Sequence, residues 1–200
     1  WVVCALLFFA TTVNYIDRQI LALIKEFLDA ELGWSNATFG WVNGAFQLSY
    51  AVGLLFFGWF VDRFGTKIGY ATSIVLWSIA AMSHALVGSV NGFFAARVFL
   101  GVSEGGNFPA AIKAVALWFP KKERAFATAI FNAGTNVGAI IAPAMIPVIA
   151  LTFGWRWAFI LAGLAGFVWL FFWFPMYDVP DKRKNLTKAE FELIHSDKEE

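Results

Sequence analysis

The sequence holds 200 residues, 60% hydrophobic, 18% aromatic and only 14% charged, where a soluble domain carries about a quarter charged residues. A net charge of +1 excludes the broad basic field of a nucleic-acid binder, and a single cysteine, Cys4, excludes an internal disulfide or a thiolate metal cluster. The composition is that of an all-α integral membrane protein.

Spans of about 20 mostly apolar residues, rising 1.5 Å each, are needed to cross a bilayer as helix. They are expected at residues 1–24, 39–61, 68–90, 91–112, 125–150 and 155–175. The opening run is too long for a signal-peptide core and lacks a small-residue cleavage pattern, so it reads as a span. Between the spans, "DAELGWSN" reads as a polar turn, "DRFGTK" as a short charged turn and "FPKKER" as a basic loop. After Pro175 the composition turns polar, which divides the chain into a bundle over 1–175 and a linker over 176–200. Within the linker Thr187 and Glu190 form a capping-box pair that predicts a short surface helix. Trp1 at one end and a charged tail at the other read as a piece of a longer chain.

Orientation follows from Lys and Arg. With residue 1 inside, the inner side holds Arg63, Lys67, Lys113, Lys121, Lys122, Arg124, Lys182, Arg183, Lys184, Lys188 and Lys198, and the outer side only Lys25 and Arg156. Eleven against two places both ends of the segment in the cytoplasm. Of the 15 basic residues, Arg18 and Arg97 are left within spans, joined there by Asp17 and Glu104.

Each such charge costs about 2.5–3.5 kcal/mol at mid-helix, so four facing lipid would cost on the order of 10 kcal/mol. They must therefore face one another or a wet cavity. Asp17 lies about 25 Å from the inner end of its span and Arg97 roughly 9 Å from the outer end of its own, similar depths in a ~30 Å core. Glu104 falls on the Arg97 face about 10 Å deeper. Spacing therefore predicts Asp17 paired with Arg97, and Arg18 turned into the cavity towards Glu104. Spans 1 and 4 each carry one acid and one Arg, which suggests two related triplets of helices, as in the six-helix halves of major facilitator carriers.

The resemblance becomes specific at "GWFVDRFGTK", residues 58–67, which resembles the signature loop Gly-x-x-x-Asp-Arg-x-Gly-x-Lys of the major facilitator superfamily through Gly58, Asp62, Arg63, Gly65 and Lys67. Gly65 suits a positive φ, and Asp62 and Arg63 suit latches to neighbouring helix ends. "NYIDR", "RVFLGVSEGGNFPA", "WFPKKERA" and "FNAGTNVGAIIAP" are similar to the anion:cation symporter branch, above all to bacterial hexuronate and aldonate proton symporters. The resemblance covers essentially all of residues 1–175. It implies the amino-terminal half of a twelve-helix fold built as a 3+3 inverted repeat. It further implies proton-coupled symport of a small organic anion in a bacterial inner membrane, by a functional monomer that is completed by its own carboxy-terminal half. Arg18 is then the contact for the substrate carboxylate, Asp17 and Glu104 take protons with Arg97 as their partner, and Tyr15 and Tyr50 line the pocket. Neither metal nor organic cofactor is implied.

Other readings of the same residues stay open. The coupling ion is a proton or sodium, and the substrate a sugar acid or another small carboxylate. Asn132 and Asn136, with Thr135, suit sugar hydroxyls or interhelical polar contacts equally. "GVSEG", residues 101–105, also fits the Gly-x-Ser-x-Gly of serine hydrolases, which would require a histidine near Ser103 and a preceding strand. A channel would call for a ring of like charges rather than this mixed cluster. The paired glycines Gly101/Gly105 and Gly134/Gly138 favour close helix approach. Pro109, Pro143 and Pro147 are expected to kink their helices, His84 reads as an interfacial aromatic, and the tryptophans and phenylalanines as mainly lipid-facing.

Overall fold

A computed structural model describes residues 1–183 and 186–196; Lys184 and Lys198, counted above on the inner side, lie outside the described residues. The described chain is helical. Span 1 is α1 (Val2–Leu23), followed by a short α2 (Lys25–Leu32) where a turn was expected. Span 2 is α3 (Asn36–Phe64), and span 3 is α4 (Thr66–Ser83) with a 3₁₀ extension His84–Leu86. Span 4 is broken into α5 (Val90–Glu104) and α6 (Asn107–Trp118), reaching six residues beyond the expected end at 112. Spans 5 and 6 are α7 (Lys121–Phe153) and α8 (Trp155–Met176), and α9 (Lys188–His195) lies in the tail. The capping box expected there is present, Glu190 N–H donating to Thr187 Oγ1 and Thr187 N–H to Glu190 Oε2.

Four of these helices, α3, α4 with its extension, α7 and α8, are long and apolar enough on length and composition to cross a membrane. The other two spans are diluted or interrupted for a visible reason. "NYIDRQ" lowers the apolar content of α1, and a Gly-Gly pair splits span 4.

Packing carries the symmetry that the sequence suggests. α1 packs most closely on α7, and α5 on α3; α4 packs on α8, while α1 also meets α8 and α5 also meets α4. Exchanging spans 1, 2 and 3 for spans 4, 5 and 6 swaps α1–α7 with α5–α3 and α1–α8 with α5–α4 and leaves α4–α8 unchanged, which is the pattern of two related triplets. Small residues set the close approaches. A methyl group on Gly101 would overlap Ser49 and the Phe46 carbonyl, and one on Gly134 or Gly138 would overlap the carbonyls of Phe8 and Thr12. Lipid gives little hydrophobic drive between helices, so such backbone-to-backbone contact is the main source of association.

Two apolar clusters fill the bundle, one around Tyr70, Trp77, Trp169 and Trp173 and the other around Phe93, Trp155 and Phe159. The aromatic residues therefore do more than face lipid: Trp34, Trp77, Trp155, Trp169 and Trp173 are buried inside the protein. Their indoles are satisfied there in several cases, Trp169 Nε1 by the Leu6 carbonyl at 2.8 Å and Trp173 Nε1 by the Lys67 carbonyl at 3.0 Å. Pro143 and Pro147 lie inside α7, which continues through both as one helix.

Candidate functional site

α1 carries Asn14, Asp17 and Arg18 within five residues, a spacing that puts Asn14 on the same side as the other two. Arg18 Nε donates to Glu104 Oε2 at 2.8 Å, joining span 1 to the last turn of α5. The Arg18 side chain is 18% exposed and that of Glu104 fully buried. The expected approach of Arg18 to Glu104 is what the structure displays.

The Arg18 guanidinium is caged by aromatic rings, 4.3 Å from the Tyr50 centroid, 5.1 Å from Tyr15 and 5.4 Å from Phe46. Phe46 and Tyr50 lie one turn apart on α3 and stack on each other. Ring faces attract a guanidinium and hold its plane. With Nε used on Glu104, Arg18 Nη2 has no hydrogen-bond partner among the described residues. The cage thus fixes a cation while leaving part of its donor fork uncommitted.

The expected pairing of Asp17 with Arg97 is present as an interaction of charges, without a direct hydrogen bond. Both residues are buried, yet both Asp17 oxygens and Arg97 Nε and Nη2 lack a hydrogen-bond partner among the described residues. Helix spacing fixes depth and direction but not where a long side chain ends, and the Arg97 guanidinium turns over the Phe46 ring at 5.8 Å. The cluster holds two acids and two arginines, so its formal charge is zero when all are ionised.

Directly after Glu104 the helix breaks. A methyl group on Gly105 would run into the Gly53 backbone, and one on Gly106 into Ser73 and Phe57. Pro109 brings no N–H to the next turn. Ser73 Oγ donates to the Ser103 carbonyl at 2.6 Å, and Tyr70 Oη to Asn107 Oδ1 at 2.6 Å. Asn107 Nδ2 reaches Thr11 Oγ1 at 3.5 Å, so spans 1, 3 and 4 are tied together just beyond the charge cluster.

Asn132 and Asn136 stand apart from this arrangement. The α7 face turned to α1 is the Gly134/Gly138 face, and Asn132 and Asn136 are each about 160–200° around the helix from Gly134. Asn132 is half-buried, Asn136 is exposed, and neither side chain bonds to another described residue. Asn14 was not singled out by the sequence. It is fully buried beside the Glu104 carboxyl, and neither amide atom has a contact of strict hydrogen-bond length among the described residues. Its position inside "NYIDR", one turn before Asp17 and Arg18, is the signal that could have marked it.

The signature loop forms the basic end of the bundle. Gly65 adopts φ 84° between α3 and α4, a conformation that disfavours any side chain. Asp62 Oδ1 receives Lys113 Nζ of α6 at 2.7 Å, and the same ammonium reaches the Val61 carbonyl at 3.0 Å. Lys67 pairs with Asp178 at 3.0 Å, beyond the end of α8, and Trp118 Nε1 donates to the Asp178 carbonyl at 3.0 Å. Burial pushes the Asp178 carboxyl up, but the hydrogen bonds from Lys67 and the Val179 N–H, with the charges of Lys67 and Lys182, together outweigh it and hold the group below its usual range. Asp62 and Lys67 are thus latched within this half. Arg63 is exposed, and a methyl on Gly58 would meet open space. At the opposite end Glu31 accepts from Trp155 Nε1 and Arg156 Nη2, each at 2.7 Å, clasping α2 to the start of α8.

The hydrolase reading finds no machinery. Ser103 Oγ donates back to the Phe99 and Leu100 carbonyls at 2.7 and 3.0 Å within a helix, with no strand before it. His84, at the end of span 3, is fully buried inside the protein, stacked on Phe159 and bonded through Nδ1 to the Ala80 carbonyl. Among the described residues no group of three or more His, Cys, Asp or Glu suits a metal ion.

Two inverted triplets of helices around a buried, charge-balanced cluster define one half-bundle of a membrane carrier. Residues 7–198 match the family model of the Major Facilitator Superfamily, and the chain belongs to that superfamily. The chain is 36% identical over 194 residues to the hexuronate transporter of Escherichia coli K12, covering 97% of this chain and 45% of the relative. It is 31% identical over 199 residues to the galacturonate transporter of Dickeya chrysanthemi, covering 100% and 58%. Among solved structures, a bacterial homologue of the human lysosomal transporter Spinster, in an inward-facing and occupied conformation, superposes with a TM-score of 0.80. That match is at 22% identity over 94% of this chain and 46% of the other. The chain spans about half the length of the relatives it matches. Its family and relatives are transporters of the major facilitator type, not enzymes.

Proposed function

We propose that this chain is the amino-terminal half of a secondary transporter that couples the uptake of a sugar acid, of hexuronate or aldonate type, to protons. The observation that carries this reading is the caged Arg18, bonded to Glu104 through Nε, with Nη2 free of hydrogen-bond partners among the described residues. A guanidinium presents donors in a fork that matches a carboxylate, and aromatic walls exclude water around it. A substrate carboxylate and the Glu104 carboxylate compete for one cation. When substrate takes Arg18, Glu104 loses its counter-charge inside a low-dielectric bundle and takes a proton. Anion and proton binding are thereby linked with reciprocal free energies. Asp17 is a second proton acceptor and Arg97 balances the acids. Tyr15 and Tyr50 orient the cage, and Asn132 and Asn136 contribute from the α7 face turned away from α1 towards the absent half. That half supplies the other wall of the cavity, in a functional monomer.

Alternating access follows from rocking the two halves about this site. The latch of Asp62 to Lys113, with Gly58, Arg63, Gly65 and Lys67 around it, forms the gating loop that sets the balance of states. The strong basic bias of that end puts it in the cytoplasm of a bacterial inner-membrane protein, with the linker 176–200 leading to the second bundle.

The test is uptake of labelled hexuronates, aldonates and simple carboxylates by the full-length protein in proteoliposomes, under imposed proton or sodium gradients. Saturable accumulation of a sugar acid driven by the proton gradient is expected. Accumulation driven only by sodium, or preference for a simple carboxylate, would replace the proposal. Flux that neither saturates nor shows counterflow would make the protein a channel.

A further inference from the structure

Spans 1 and 6 leave between them a groove of about 510 Å³ that the anion site does not use. α1 lines it from Val2 to Val13 and α8 from Ala165 to Met176, each at positions i, i+3, i+4, i+7 and i+11. The lining is apolar, and its one polar side-chain atom, Trp169 Nε1, is spent on the Leu6 carbonyl at 2.8 Å. Ala5 and Ala165 leave room where a longer side chain would fill it, while Phe9 and Phe172 line it and stay exposed. Phe9 stands about 180° around α1 from Arg18, so the groove opens away from the candidate anion site. Eleven residues of helix rise about 16 Å, close to half of a ~30 Å hydrocarbon core. α1 leaves the basic end at Val2 and α8 returns to it at Met176, so the groove is one leaflet deep.

At its basic end the groove meets a second cavity, of about 290 Å³, and Val2 and Met176 belong to both linings. This cavity is mixed: Arg183, Glu123 and Glu190 line it beside Trp118 and Phe119. Arg183 Nη1 donates to the carbonyls of Met176 and Pro175, acceptors that the last turn of α8 leaves unfilled. That contact pins a guanidinium at the mouth of the groove, and among the described residues its bonds go to these carbonyls and to neither acid. Arg124 turns instead to the Phe119 and Ala116 carbonyls, each at 3.0 Å. The described lining thus holds one basic and two acidic side chains.

We propose that the two hollows together bind one aminophospholipid of the leaflet at the basic end. Its acyl chain lies along the groove between α1 and α8, its phosphate meets Arg183, and its ammonium meets Glu123 and Glu190. A guanidinium presents a fork of donors that suits phosphate oxygens, and carboxylates accept from a primary ammonium. The excess of acid in the lining opposes a purely anionic headgroup, and a quaternary ammonium has no N–H to donate. Leu193 and Ile194 of α9 line the same cavity, so the linker helix covers the headgroup and the lipid joins spans 1 and 6 to the linker.

The test is lipid binding to the full-length protein, stripped of lipid in detergent and titrated with phosphatidylethanolamine, phosphatidylcholine or phosphatidylglycerol of matched chains. Native mass spectrometry reads the bound adducts and needs no transport. One phosphatidylethanolamine should bind about tenfold more tightly than either of the others, the worth of one charge-assisted hydrogen bond. Equal affinity for all three would make the groove ordinary lipid-covered surface and overturn the proposal, and so would a preference for phosphatidylglycerol. Arg183→Gln should weaken the phosphatidylethanolamine adduct about tenfold, and Ala5→Phe, which fills the groove from an exposed position, should remove it. Binding like the parent's in either variant would overturn the site. Where a variant is not recovered, phosphatidylethanolamine with a photoreactive diazirine in its acyl chain serves on the parent. Its cross-links should fall on the groove residues of α1 and α8, and cross-links spread evenly over the lipid-exposed helices would overturn the proposal.

Discussion

Replacing Arg18 by Lys keeps the charge and removes the fork, which isolates the geometric part of the proposed anion site. In the parent, the Arg18 side chain spends Nε on Glu104 at 2.8 Å and rests 4.3 Å from the Tyr50 ring, so its plane is fixed before substrate arrives. An ammonium is a point donor on a flexible stem, more strongly hydrated and unable to stack on the cage. It can serve Glu104 or a substrate carboxylate through one hydrogen bond, but not through a two-pronged contact. A charge-assisted hydrogen bond contributes about 1.5–3 kcal/mol, so the loss of one prong weakens substrate binding by roughly 10- to 150-fold. Binding of a labelled sugar acid to the purified full-length variant, read by scintillation proximity or by substrate-induced thermal stabilisation, measures this directly. An affinity for the acid within about threefold of the parent would refute the argument that Arg18 reads the carboxylate.

Asp62→Asn breaks the contact with Lys113 at a site where the Asp62 side chain is 76% exposed, so it should cost little stability. Its effect should instead be slower turnover at nearly unchanged substrate affinity, with altered labelling of cysteines placed at the basic end; unchanged turnover and labelling would speak against a gating role. Glu31 is held below the usual carboxylate range by its hydrogen bond from Arg156 and then by that from Trp155. A depressed carboxylate contributes stability above its unfolded pKa and loses it as pH falls through the folded value. Glu31→Gln should therefore lower the melting temperature slightly near neutrality, with the difference from the parent vanishing in acid; a difference that persists in acid would show that the clasp does not act through the Glu31 charge.

How far the sequence spoke for the fold depends on which signal each element carries. α7 and α8 are long apolar runs between a basic loop and a polar tail, and they fall close to where hydropathy puts them. The capping box of Thr187 and Glu190 fixes its helix by local chemistry alone. The break in span 4 was carried by Gly105, Gly106 and Pro109, but an apolar run is blind to it because glycines do not interrupt hydropathy. Its cause is tertiary: the backbone of α3 passes where a side chain would otherwise stand. In the charge cluster, the expectation that Arg18 turns into the cavity towards Glu104 was met, its long side chain covering the difference in depth between the two residues. The same argument brought the charges of Asp17 and Arg97 together but could not supply a hydrogen bond, since it does not fix where a long side chain ends, and the Arg97 guanidinium lies over the Phe46 ring. Asn14 was silent for a different reason. A neutral amide gives no cost signal in hydropathy, and its meaning comes from the carboxyl on another span that packs against it.

The measurement that bears most directly on the account is accumulation by Glu104→Gln under an imposed proton gradient. Glutamine stands in for the protonated acid and cannot exchange a proton, so it leaves Arg18 free for the anion at every pH. The account predicts that Glu104→Gln in the full-length protein still exchanges labelled for unlabelled sugar acid across the membrane, yet no longer concentrates it when the gradient is applied. Accumulation equal to that of the parent under the same gradient would contradict it, and would leave the pair of Arg18 and Glu104 as a scaffold between spans 1 and 4.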